Sequence, residues 1–215
     1  SKFLVKTKNA PNEISRINAD RIIIKEYIQN CITQVSYPLI FEIAGKGGLL
    51  NSNSGVYWND TELNSLADYK SGAGYVNNML LKQDMGSELS NAIKQNLKSC
   101  VNLSIFREKG YEILENDNTV NVTINNNNLI VKLEYPLKFK IGKNTIDFNE
   151  FSSTLESSLG EIYGAAIDIV NEEITYGYFD KEDFMLKHGN IIRVEKHKPY
   201  PDIVYILTKT DSKLK

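Results

Sequence analysis

Ile17, Ile24, Ile28, Cys31 and Val35 recur at intervals of seven, four, three and four residues. That spacing lines one face of a long amphipathic helix, which Pro38 is expected to kink and Gly45 to end. A second stripe, Leu89, Ile93, Leu97 and Cys100, predicts a helix over about 87–108, with Gly110 beyond its end. A third, Phe151, Leu155, Leu159, Ile162, Ala166 and Ile169, predicts another, with Ser153 and Glu156 at capping-box spacing. Between the second and third stripes the period falls to two. Val120, Val122 and Ile124 alternate with polar residues, Asn125 to Asn128 turn the chain, and Val131, Leu133 and Tyr135 alternate again, which predicts a β-hairpin. Leu137, Phe139 and Ile141 continue the alternation past Pro136, and Gly142-Lys143-Asn144 turns it into a short strand ending near Phe148. Two further strands, 191–195 and 203–208, flank Pro199-Tyr200-Pro201.

This order predicts an α+β fold, with an antiparallel β-sheet, its hairpins in the C-terminal half, packed against three long amphipathic helices. Residues 1–11 read as an extended lead-in or tether, because Pro11 and the polar stretch before it offer no helical face. Residues 12–215 read as one domain, interrupted at about 51–82 by a long polar loop excursion with one short helix after Thr61. No internal repeat is evident.

At 215 residues and 41% hydrophobic, the chain has enough apolar matter for a substantial core. Its net charge of −2 lacks the broad basic face that phosphate backbones require, so nucleic acid is not expected as a partner. No stretch reaches the roughly 18 to 20 apolar residues of a membrane span. The 24 asparagines, with many Ile and Lys, fit the codon bias of an AT-rich genome.

Cys31 and Cys100 both fall on core stripes of long helices, so packing the two helices together brings the thiols into one layer. They are either two reduced, buried small hydrophobes or a disulfide. Their number and placement favour the disulfide, and with it an oxidising, extracytoplasmic setting. Sequons at Asn59, Asn102 and Asn121 make these residues glycosylation candidates. Asn59, in the polar excursion, ranks above Asn102, which falls inside a predicted helix.

The residues that carry chemistry form no persuasive set. His188 and His197 lack two-histidine metal spacing, and no metal or cofactor is expected. Gly45-Lys46-Gly47-Gly48 lacks the features of a phosphate loop and reads as a turn. Asp180, Glu182 and Asp183 lack a calcium loop and read as a solvated turn, while Glu172 and Glu173 read as surface carboxylates at a helix end. Tyr57-Trp58, Tyr176 to Phe179 and Tyr200 are candidate contact residues, since Tyr and Trp combine large area with a polar handle.

The order of Tyr27-Ile28-x-x-Cys31-Ile32, Gly47-Gly48-Leu49-Leu50, Tyr57-Trp58, Leu97-x-x-Cys100-Val101, Tyr135-Pro136-Leu137, Ile162-Tyr163-x-x-Ala166 and Tyr205-Ile206 spans most of the chain. It resembles a family of membrane-anchored extracytoplasmic (cell-surface) proteins of small-genome, DPANN-type archaea. The resemblance implies an N-terminal hydrophobic anchor before Ser1, an outward-facing body and a pairing of Cys31 with Cys100. It carries over no catalytic residue. Such proteins tend to continue past the last strand, whereas this sequence stops at Lys215.

The expected function is therefore non-enzymatic: an extracytoplasmic cell-surface structural or interaction protein, a class that includes the self-assembling subunits of surface filaments, coats or contact structures. Its expected partners are other copies of itself or other surface proteins, with the lead-in residues Phe3, Leu4 and Val5 adding a strand to a neighbour's sheet edge. The alternatives are an extracytoplasmic hydrolase using Asp60, Glu62 or Asp68, and a ligand-binding sensor built on the Tyr57-Trp58 loop.

Overall fold

The computed structural model describes residues 13–52, 54–189 and 191–210. Phe3, Leu4 and Val5 lie outside them. Helix α1 runs Glu13–Gly45. It continues through Pro38 and ends where its apolar stripe ends. Gly47, at φ +76°, donates to the Ala44 carbonyl and Gly48 to the Ile43 carbonyl, the paired bonds that close a helix when glycine takes the left-handed position.

The segment expected to be a loop holds two short antiparallel hairpins, β1 Val56–Trp58 with β2 Thr61–Leu63, and β3 Ala67–Lys70 with β4 Gly74–Asn77. No helix follows Thr61; it opens β2 instead. The first turn is set by Asn59 and Asp60, both at positive φ (47° and 61°), the backbone that a two-residue hairpin turn demands and that Asn and Asp tolerate. Helix α2 spans Lys82–Cys100 rather than 87–108. Its start is capped by the Asp84 carboxylate, which accepts from the Leu81 amide at 3.2 Å. After a break at Val101, a single turn α3 covers Ser104–Arg107.

The main sheet is built on β7, Asn128–Ile141. Strand β8, Asn144–Glu156, lies along one side, and β6, Thr119–Ile124, and β5, Glu112–Glu115, lie in succession along the other, all antiparallel. Leu129, Val131, Leu133, Tyr135, Leu137 and Phe139 of β7 are buried, while the residues between them face outward. Pro136 is accommodated where the register shifts between Glu134 and Leu137, a bulge that does not need its missing N–H.

The third helix does not begin near Phe151. Phe151 and Leu155 are buried residues of β8, and α4 spans Leu159–Tyr176. Spacing by four is even, so it satisfies a strand as well as a helix, and twelve residue pairs with β7 decide the matter. Helix α5, Lys181–Lys187, and an antiparallel pair, β9 Ile192–His197 and β10 Val204–Lys209, complete the chain. The α+β class and antiparallel pairing are as expected. The single sheet is not: the described strands form one four-stranded sheet and three separate pairs, and α3 and α5 add short helices to the three long ones.

Helices α1 and α2 cover the buried face of the main sheet, around a core that includes Ile24, Ile28, Ile32, Leu89, Ile93, Leu133 and Phe139. They also guard its edges. Ser90 of α2 accepts from the Val122 amide at 2.9 Å, and Gln29 of α1 donates to the Ser152 carbonyl at 2.6 Å. A Cβ on Gly86 would lie 2.7 Å from the Val122 carbonyl oxygen, so only glycine lets α2 sit this close to β6. A second cluster, Ala165, Ile169, Phe179, Phe184, Ile192 and Val194, joins α4, α5, β9 and β10.

Candidate functional site

Cys31 and Cys100 form a disulfide across the α1–α2 contact, with Cα atoms 5.7 Å apart. One turn before Cys31, the Tyr27 hydroxyl donates to the Cys100 carbonyl at 3.0 Å and accepts from the Asn102 amide at 2.8 Å. It thereby satisfies the backbone exactly where α2 breaks off. The bond is a structural tie, and it accords with a non-reducing environment.

The three sequons differ in what their asparagines already do. Asn59 sits exposed at the β1–β2 turn, and Asn121 is exposed on the open face of β6. Asn102 lies just before α3, where its Oδ1 accepts from the Ser104 amide at 3.0 Å.

The 12 tyrosines divide into two groups of six. Tyr27, Tyr37, Tyr111, Tyr135, Tyr163 and Tyr205 are buried or half-buried. Five of these hydroxyls donate to carbonyls or carboxylates: Tyr27 to Cys100, Tyr111 to Asp20, Tyr135 to Glu115, Tyr163 to Leu80 and Tyr205 to Glu173. Burial, then the carboxylate partner, raises the pKa of Tyr111 to about 12 and pushes those of Tyr135 and Tyr205 up as well. The other six, Tyr57, Tyr69, Tyr75, Tyr176, Tyr178 and Tyr200, present their rings to solvent, Tyr200 almost completely at 99%.

The exposed group lies on elements that pack together. Tyr57 is on β1, whose neighbour Trp58 stacks against His197 of β9 with ring centroids 4.6 Å apart. Tyr69 and Tyr75 face each other edge-on across β3 and β4, at 5.5 Å. Asn77 of β4 donates to Asn171 of α4 at 3.0 Å, and Tyr176 ends that helix. Trp58 is thus half-buried, a packing residue with Tyr57 as its exposed neighbour.

The carboxylates split by role. Asp68 accepts from Ser65 at 2.5 Å and from Asn78 at 2.6 Å, bracing the β3–β4 hairpin. Glu62 accepts from the Gly55 amide, and Asp60 stands at the hairpin turn. Asp180 caps α5 by accepting from the Asp183 amide at 2.9 Å. Glu173 is not a surface residue: it accepts from Lys196 at 2.6 Å and from the Tyr205 hydroxyl, with Lys196 also over the Tyr205 ring at 5.2 Å. Periodicity at a helix end gave no sign of that pair, because the partner comes from β9.

Two shallow depressions open to solvent. One, of about 570 Å³, lies between α4 and α5 and is lined by Asp168, Glu172, Asp180, Asp183 and His188 among others. The other, of about 610 Å³, lies beside Lys46, Ser52, Asp60 and Glu62. Among the described residues no group of three or more His, Cys, Asp or Glu is placed to hold a metal ion, and no helix is long and apolar enough to cross a membrane. No family model matches the chain, and neither a curated protein nor a solved structure is similar to it.

Proposed function

We propose that the protein is a non-enzymatic, extracytoplasmic cell-surface protein that acts by contact, as a self-assembling structural subunit or as an interaction module for other surface proteins. The observation that carries this reading is the division of the tyrosines. Six rings are held inside by packing, and six stand exposed on the hairpins and the C-terminal unit. Tyrosine offers a large, stiff apolar area with a hydroxyl at its tip, which suits a recognition surface and adds nothing to a fold that leaves it in water. The disulfide supports the extracytoplasmic setting. Exposed Asn59 and Asn121 are the acceptors this reading favours for glycans, ahead of Asn102. An anchor preceding Ser1, as in the archaeal family it resembles, would hold the body at a membrane surface.

The test is the assembly state of the native protein, by negative-stain microscopy and light scattering. Ordered filaments, sheets or rings, lost on replacing Tyr69 and Tyr75 by Ser, are the expected result. Discrete monomers that capture no surface protein in crosslinking on intact cells would overturn the reading.

A further inference from the structure

Helix side chains guard the edges at β6 and β8, and β9 is covered in the same way, its Val194 amide pointing at the Met185 sulfur of α5, 3.4 Å away. Strand β10 is different. The Thr210 amide donates to the Ile191 carbonyl, so the alternation of the ladder turns the amides and carbonyls of Val204, Ile206 and Thr208 toward β9 and those of Tyr205, Leu207 and Lys209 away from it. Among the described residues no hydrogen bond reaches those outward groups. Native edges are commonly blunted by a charge, a proline or a bulge, and Val204-Tyr205-Ile206-Leu207 has none of these.

Twelve residues precede α1, and among them the strand-forming run Phe3-Leu4-Val5 is accompanied by Lys2, Lys6 and Lys8 and by no acid. Residues 159–210, which include β10, hold nine carboxylates against six Lys and Arg. The C-terminal unit is tied to the far end of α1: the Asn64 amide donates to the Lys46 carbonyl at 2.7 Å, just past the helix, and Trp58 of the adjoining hairpin rests on His197 of β9. The 33 residues of α1 span about 50 Å. From Glu13 back to Val5 a fully extended chain reaches at most about 28 Å. The run therefore falls short of β10 in its own copy.

We propose that β10 is the acceptor edge on which Phe3, Leu4 and Val5 of a second copy add a strand, an inference that rests on the self-assembling reading above. Backbone bonds to Tyr205, Leu207 and Lys209 hold the added strand, and the opposite charges of the two segments favour the encounter. Donor and acceptor lie at opposite ends of α1, so the contact is head-to-tail and propagates instead of closing on a pair.

The test follows assembly of the full chain with concentration by light scattering, together with residue-resolved amide hydrogen exchange. The amides of Tyr205, Leu207 and Lys209 are expected to slow by roughly tenfold on assembly. Deleting Ser1–Asn9 abolishes both changes. Excess synthetic peptide of residues 1–10 disperses the assemblies into single copies whose β10 amides stay protected, and the same peptide with Leu4→Pro does neither. Assembly that survives the deletion, or that leaves exchange at 205–209 unchanged, overturns the strand addition while self-assembly stands. Protection at 205–209 that survives the deletion hands the edge to the β10 of another copy and overturns it too. Single copies at every concentration overturn both this proposal and the reading it rests on.

Discussion

The Tyr27 hydroxyl donates to the carbonyl of Cys100, the residue whose sulfur is bonded to Cys31 one turn further along the same helix. Helix α1 thus grips the end of α2 twice, by a polar contact and by a covalent one. Tyr27→Phe keeps the ring against Phe106 but leaves the Cys100 carbonyl and the Asn102 amide without this partner. A loss of about 1–2 kcal/mol is expected in urea unfolding of the oxidised protein.

Reducing the disulfide is expected to cost more. The bond closes a separation of 69 residues, for which restriction of the unfolded chain predicts up to about 4 kcal/mol. Urea midpoints with and without reductant measure it, and Cys31→Ser/Cys100→Ser should match the reduced protein.

Gly86→Ala tests the approach of α2 to the sheet. The added methyl meets the Val122 carbonyl, which is backbone and cannot swing aside as a side chain would. A cost of about 1–3 kcal/mol is expected, read as a lower melting temperature, whereas Gly164→Ala, with open space around it, is expected to be neutral or stabilising.

Lys196→Met leaves Glu173 with the Tyr205 hydroxyl and no cation, in a site where both charged side chains are less than a fifth exposed. About 1–3 kcal/mol of destabilisation is expected. Glu173→Leu/Lys196→Met should recover much of that loss, since it removes the orphaned charge, and a double-mutant cycle in thermal unfolding measures the coupling.

Alkaline pH should unfold the protein through its inner tyrosines. Free tyrosine ionises near pH 10, while Tyr111 is held up to about 12 and Tyr135 and Tyr205 are also raised. Because the folded pKa values are the higher ones, their stabilising contribution is full below about pH 10 and is lost as pH climbs through the folded values. Absorbance at 295 nm should show fewer tyrosinates in the native protein than in urea at about pH 11, and the difference should vanish with unfolding.

The sequence was most legible where one periodicity ran long without competition. The α1 stripe and its glycine end and the β6–β7 hairpin follow from spacing, whereas the stripes holding the two cysteines favoured their pairing without deciding it. Phe151 and Leu155 misled because an even spacing serves strand and helix alike, and the deciding partner, β7, is a tertiary fact. The hairpins in 56–77 are three- and four-residue strands, too short for a visible alternation, although Asn59-Asp60 carried a turn signal. Of the candidate contact residues, Tyr57, Tyr176, Tyr178 and Tyr200 proved exposed, but Trp58 found a partner 139 positions away and Phe179 is buried, while Tyr69 and Tyr75 needed the fold to reveal that they stay outside.

The covalent loop from Cys31 to Cys100 encloses both hairpins with their exposed turns. A protease that cuts at Gly55 or Gly72 therefore severs the chain without releasing a piece of it. On a non-reducing gel the nicked molecule migrates as one species, and only reduction separates its two halves. A chain closed this way can be cleaved at an exposed turn and still stay whole.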